Sequence, residues 1–297
     1  MFRQTLSVIL ALGLLCLASA CAHVVGTQRS QLSLVPESEL LPLAAREYQR
    51  ILAQEKISTD SQKTQMVKRV GARIQLAAEK YLTMFGRSSE KYYYHWEFNL
   101  LDSPKVNAFC LPGGKVAVYE GILPIAQNEA GLATVMAHEV AHALAHHGSE
   151  RMSQNLLRNL GGQALDIGLS SRGVSSGTAR AFLTAYGLGS QFGILFPFSR
   201  TQEAEADRIG LSLMAMAGYE PEEALKFWGR MGQASQRSRA TAEFLSTHPS
   251  DQSRIANLKA FLGEAKSRFV PDHDPADQGT EVKGRPQKPR RNRPQKN

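Results

Sequence analysis

The chain comprises 297 residues, 42% of them hydrophobic, with three cysteines and a formal net charge of +8. It is long enough to bury a large core and too cysteine-poor for a disulfide-stapled scaffold. The basicity is local: residues 281–297 carry seven Lys or Arg against Glu281, and with these and Arg3 set aside the remainder is near +1, which excludes a basic nucleic-acid-binding face.

The chain starts with Met1-Phe2-Arg3 and an apolar run from Thr5 to Ala20 that is short for a transmembrane helix. Ala18-Ser19-Ala20 fits a signal-peptidase site, and Leu17-Ala18-Ser19-Ala20-Cys21 resembles a bacterial lipobox with Ala18 in place of the commoner Leu. Both patterns remove residues 1–20. The lipobox reading acylates Cys21, and Ala22 after it resembles the outer-membrane sorting pattern; the plainer reading is a secreted chain with a free Cys21. Cys16 then leaves with the signal and Cys110 remains alone, a small buried hydrophobe rather than a nucleophile.

Residues 21–42 are expected to be a tether. Leu43 to Lys56 and Ser61 to Phe85 show helical spacing, the second capped by Asp60 or Ser61 and ended by Gly86. Three short strands follow, within Tyr92–Leu101, Val106–Leu111 and Lys115–Tyr119, separated by the turns Asp102-Ser103-Pro104 and Pro112-Gly113-Gly114. Next comes Asn128–Gly148, NEAGLATVMAHEVAHALAHHG, a Pro-free apolar run read as a helix with Gly148 as its stop. The Gly/Ser-rich stretch Gly161–Gly193 reads as two helical pieces around a mobile loop, either a lid or a surface insertion. Ser199 to Ala217 is a further helix with Ser199 as N-cap and Gly218 as stop; Pro221–Met231 and a last helix from Ser250 or Asp251 to Leu262 follow. Beyond Pro271 apolar residues become scarce, and residues 266–297 read as a disordered basic tail able to meet a polyanion.

The chemistry centres on His138-Glu139-Val140-Ala141-His142. Residues four apart share a helical face, so His138 and His142 can converge on one ion, with Glu139 beside a water bound to it. A catalytic zinc site takes a third protein ligand. The metzincin pattern fails, because Ala145 and Gly148 stand where Gly and His are required. His146 would lie about 12 Å along the axis from His138 and His147 points elsewhere, so both read as the helix's end, suited to the dipole there. The remaining option is a carboxylate from a second helix. Glu203 could bind the ion while Asp207, four residues on, accepts an imidazole N–H. Glu205 would point away, and Ala204 and Ala206 would permit close helix approach. On spacing alone, a solvated charged face is the favoured reading of Glu203 and Asp207.

HEVAH followed by SRTQEAEAD resembles the M48 peptidases, the Ste24/HtpX/Oma1-like group, whose pattern is HExxH…SRxxExxAD. The stretch Asn107-Ala108-Phe109-Cys110-Leu111-Pro112-Gly113-Gly114 is similar to the same family's N-A-x-x-x-P-G-G segment. The resemblance runs from about residue 60 to 262. It implies an α+β, mainly helical gluzincin-type domain over residues 43–265, with a small three-stranded sheet beside the HExxH helix. It further implies one Zn2+ held by His138, His142 and Glu203, with Glu139 as general base. With no multi-span hydrophobic segments, the chain looks like the periplasmic Oma1-like branch. The expected activity is zinc-dependent endopeptidase action on misfolded or misassembled envelope polypeptides at the outer membrane; a non-proteolytic chaperone or assembly factor is the competing class. His248, in a His-Pro loop, is read either as an oxyanion donor, as an occupant of zinc's open position, or as a structural surface residue. Gly114, Lys115, Val116, Ala117 and Val118 are read either as an edge that pairs with extended substrate or as an internal strand. No nucleic-acid partner is expected.

Overall fold

The computed structural model describes residues 21–159, 185, 198–237, 241–248 and 252–271. The expected signal segment, nearly all of the Gly/Ser-rich stretch and most of the basic tail lie outside these residues. Two short antiparallel strands, β1 (Cys21–His23) and β2 (Ser30–Leu32), lead into α1 (Glu37–Gln54) and α2 (Ser61–Met84). Strands β3 (Glu97–Leu101), β4 (Ala108–Leu111) and β5 (Lys115–Tyr119) form one sheet, followed by the short α3 (Leu123–Ala126). Helices α4 (Glu129–Leu144) and α5 (His147–Asn159) come next, then α6 (Arg200–Met216), α7 (Glu223–Arg237), α8 (Ala242–Thr247) and α9 (Gln252–Lys266). This is the expected mainly helical α+β fold with a three-stranded sheet.

The sheet order is β3-β5-β4, with β3 parallel and β4 antiparallel to β5. Both faces are covered, so alternate residues enter different cores. Val116 and Val118 face α2 and α4, while Ala117 and Tyr119 join Leu40, Leu43, Tyr48 and Ile51 of α1. Gly113 and Gly114 adopt φ of +78° and +76° to turn β4 into β5, a conformation costly for side-chain-bearing residues. A Cβ on Gly114 would also meet the Trp96 ring at 2.6 Å.

Three local expectations need correction. Residues 21–36 are not an aperiodic tether. The hairpin is bonded to the body, with Gln31 Nε2 donating to the Ala145 carbonyl at 2.8 Å and the Leu34 amide to Ser153 Oγ at 2.9 Å. Helix α1 starts at Glu37 and runs through Pro42. Proline sacrifices a hydrogen bond there, but the helix buries Leu40 ahead of it. The aromatic run before β3 is partly a 3₁₀ turn, Ser88–Tyr93; only Glu97–Leu101 pairs as a strand.

All sixteen residues of α4 are buried, which its Ala-rich, all-round apolar sequence permits. Asn128 caps it by accepting the Gly131 amide at 2.7 Å. Helix α6 lies against it, started by a reciprocal capping box between Ser199 and Gln202. The two helices approach closely at Gly210, where an added Cβ would sit 3.3 Å from the His138 Cα. Ala206 is fully buried nearby, whereas Ala204 lines an open groove with Arg29.

At the corner between α4 and α5, His146 adopts a left-handed φ of +54°. Its ring lies 3.0 Å from Glu37 Oε2 and 3.5 Å from Glu90 Oε2, with Arg87 Nη2 at 3.5 Å. Burial lowers its pKa, but the two carboxylates outweigh this and raise it to about 9. A raised folded-state pKa gives stability that is complete below the ordinary value near 6.5 and lost as pH rises through about 9. His146→Asn keeps the left-handed backbone accessible and removes the charge. In urea melts the wild-type advantage over this variant is expected to reach up to about 3 kcal/mol at pH 6 and vanish near pH 9.5; a pH-independent difference would refute the ion-pair account.

Candidate metal centre

His138 and His142 project from one face of α4, with their Nε2 atoms 3.1 Å apart. Glu203, in the first turn of α6, brings Oε1 to 3.3 Å from His142 Nε2 and Oε2 to 3.5 Å from His138 Nε2. His248, which ends α8, places Nδ1 3.3 Å from His138 Nε2 and 3.0 Å from Glu203 Oε1. One ligand atom from each of the four residues thus lies within 4.8 Å of the others, and all four side chains are buried. Such a ring of nitrogen and carboxylate donors is suited to a single ion. His248 is therefore no surface residue.

Glu139 is 4% exposed, with Oε1 3.5 Å from His248 Nε2 and without a hydrogen bond among the described residues. Burial pushes its pKa up, against the pull of His248 and His138. A carboxylate made more basic, beside a metal-binding ring and not consumed by a hydrogen bond, is a suitable general base. Glu203 behaves oppositely: burial raises its pKa, but His248, Arg254 and His138 hold it well below the carboxylate range.

The predicted partner of His138 is in place, with Nδ1 3.0 Å from Asp207 Oδ1. Arg254, from α9, donates to Asp207 Oδ1 at 2.6 Å and lies 2.9 Å from Glu203 Oε2. Its guanidinium rests 3.3 Å over the Trp228 ring. One cation is therefore shared by Glu203 and Asp207. Aromatic rings wall the centre. Phe198 lies against His142 with centroids 4.0 Å apart, and Phe244 against His248 at 4.8 Å.

The reading of His147 is overturned, whereas Glu205 points away from the donor ring as expected and meets the hairpin and His147. Because the chain turns at His146, His147 begins α5 and returns towards the centre. Its Nδ1 lies 2.8 Å from His142 Nδ1 and its Nε2 3.0 Å from Glu205 Oε2. Glu205 also accepts from Arg29 Nε at 2.8 Å. Burial lowers the His147 pKa, only partly offset by Glu205. Sequence reasoning did not find Arg254, Trp228 or Phe198 either, since their spacing to the motif is set by tertiary structure.

The proposed substrate edge is also corrected. Gly114 precedes β5, and Lys115, Val116, Ala117 and Val118 lie within it, at the centre of the sheet, where β3 and β4 occupy both edges. Cys21, in β1, is not part of the metal-binding cluster. Cys110 is buried as expected, its thiol pKa pushed well up by burial and then by the nearby Glu139 charge.

A helix carrying HExxH, faced by a second helix that brings a buried glutamate to the same donor ring, is compatible with a metallopeptidase centre. Residues 68–262 match peptidase family M48, and the chain belongs to that family. It is 41% identical over 175 residues to the mitochondrial metalloendopeptidase OMA1 of Schizosaccharomyces pombe, covering 58% of this chain and 48% of that protein. The OMA1 of Saccharomyces cerevisiae is 38% identical over 180 residues, 59% of this chain and 49% of that protein. The beta-barrel assembly-enhancing protease of Escherichia coli K12 is 28% identical over 182 residues, 59% of this chain and 36% of that protein. The matched region is half or less of each of these curated relatives. No helix among the described residues is long and apolar enough to cross a membrane.

Replacing Arg254 with Met removes the cation shared by two buried carboxylates and leaves Glu203 and Asp207 with only their histidine neighbours. The metal-free chain is expected to lose about 3 kcal/mol in chemical denaturation, with part of the loss regained on adding metal. An unchanged midpoint would show that Arg254 is not the compensating charge.

Proposed function

We propose that this protein is a zinc-dependent endopeptidase of the bacterial periplasm, lipid-anchored at Cys21 to the outer membrane, which cleaves misfolded or stalled envelope polypeptides. The observation that carries the enzymatic part is Glu139, buried beside the donor ring with Oε1 free of hydrogen bonds among the described residues. The names of the relatives, metalloendopeptidase and beta-barrel assembly-enhancing protease, support the same class. The envelope setting rests on the signal-like start and the Cys21 context. The tail at residues 281–297 is proposed as a separate contact for anionic lipid or another polyanion.

The donor set fits zinc. Zinc–nitrogen bonds of about 2.0–2.1 Å in a tetrahedron place neighbouring donors roughly 3.3–3.4 Å apart; His138 Nε2 lies 3.1 Å from His142 Nε2 and 3.3 Å from His248 Nδ1, and the Glu203 carboxylate reaches the three rings at 3.0 to 3.5 Å. His138, His142 and Glu203 would hold the ion. When bound, zinc supplies Lewis acidity, polarising a scissile carbonyl and lowering the pKa of water towards neutrality. Glu139 takes the proton of the attacking water and passes it to the leaving nitrogen. Asp207 holds His138 through Nδ1, and Phe198 and Trp228 exclude bulk water from the rings.

Of the two edge strands, β3 also bonds to the backbone of residues 56–58, and β4 is the edge we assign to an extended substrate. His248 stands inside the ring, with Nδ1 3.3 Å from His138 Nε2 and 3.0 Å from Glu203 Oε1. We therefore read this arrangement as closed, with His248 as a fourth ligand that must withdraw before it can act as an oxyanion donor.

Glu139→Gln is expected to retain zinc and lose roughly 10²–10⁴-fold in hydrolysis of an unfolded protein. Wild-type rates in that variant would favour the non-proteolytic chaperone instead. His248→Ala is expected to raise the basal rate if this residue closes the site; a fall with zinc retained would assign it to oxyanion binding.

A further inference from the structure

His142 has a neighbour that the peptidase reaction does not require. If its Nε2 binds metal, a premise that rests on the proposed centre, that nitrogen carries no proton and Nδ1 must carry one. The nearest group to His142 Nδ1 is His147 Nδ1, at 2.8 Å, with both rings buried. Two N–H groups cannot face each other at that distance, so His147 Nδ1 must present its lone pair. Its own proton then lies on Nε2, directed at Glu205 Oε2 at 3.0 Å. The carboxylate is fixed in turn by Arg29 Nε at 2.8 Å, and Arg29 also donates to Glu150 through Nη1 at 2.6 Å and Nη2 at 2.9 Å. Every proton in the row is thereby assigned.

We propose that His147 and Glu205 are positioning residues that lock the tautomer and ring orientation of the metal ligand His142, and that Arg29 anchors this row to the N-terminal hairpin. The arrangement differs from that of His138, whose Nδ1 meets the carboxylate of Asp207 directly. His142 instead reaches a carboxylate through a second imidazole. The charge that steadies it is thus one ring further from the ion, on the opposite side of α6 from Glu203. This also accounts for two acidic residues of α6 only two positions apart being buried in different surroundings: Glu203 faces the ion and Glu205 faces the hairpin.

The test is zinc affinity by chelator competition on the full chain, with the metal-free melting curve recorded beside it. His147→Leu removes the acceptor and is expected to weaken zinc binding about 10–100-fold while still melting cooperatively. In His147→Asn, Oδ1 can stand near the place of Nδ1 and accept from His142, so most of the affinity should return. Glu205→Gln should give a smaller loss than His147→Leu. Should His147→Leu fail to fold, nitrogen-15 NMR of the zinc-loaded wild type decides, with His142 protonated at Nδ1 and His147 at Nε2. A His147 protonated at Nδ1 overturns the proposal. So does His147→Leu with wild-type affinity, or an equal loss in His147→Leu and His147→Asn. A wild-type chain that binds no zinc overturns the metal centre and the row with it, whereas zinc-binding wild type beside an unaffected His147→Leu overturns the row alone.

Discussion

Ionised groups withdrawn from water must be matched within the protein, and that constraint shapes the interface between α4 and α6. Glu203, Asp207 and Arg254 are buried beside His138, His142 and His248. Unpaired, each charge would cost several kcal/mol. The structure meets this cost with short, multiply shared contacts, and Arg254 spans the two carboxylates. Without a side chain, Gly210 lets α6 approach the His138 backbone closely enough for these contacts. The sheet, the aromatic wall and the hairpin then enclose the same interface. The groups that would bind metal are the groups whose burial would be least favourable without each other.

Much of this was legible in the sequence, for reasons that differ by element. HExxH reads locally, because helical spacing alone places His138 and His142 together. The N-cap at Ser199 and the stop at Gly218 mark α6 just as directly. Glu203 was different. Spacing favoured a solvated face, and family resemblance singled it out as a ligand. Asp207 followed from being one turn further along the same helix.

What escaped sequence reading depends on where the chain turns. Gly148 was taken as the stop, whereas the helix breaks at His146, a non-glycine residue in a left-handed conformation held by Glu37 and Glu90. Once the chain bends there, His147 no longer continues the first helix, and Glu205 acquires a buried partner. Strand order is equally non-local. Nothing within Lys115–Tyr119 reveals that β3 arrives parallel on its other side, removing it as an edge. Residues 21–36 lack periodicity because their hairpin strands are only three residues long and bond outwards to the end of α4, to α5 and to α6 as well as to each other.

The complete burial of α4 has a consequence for how the centre breathes. Its amides have no solvent-facing side from which to fray, so their hydrogen exchange should track global unfolding rather than local opening. Two of the four donors, His138 and His142, therefore belong to the slowest-exchanging unit of the fold. His248 lies at the end of a six-residue helix, on a segment far shorter than α4. Ion entry and exit should consequently follow the local stability of α8, leaving the two histidines of α4 as a fixed half-socket.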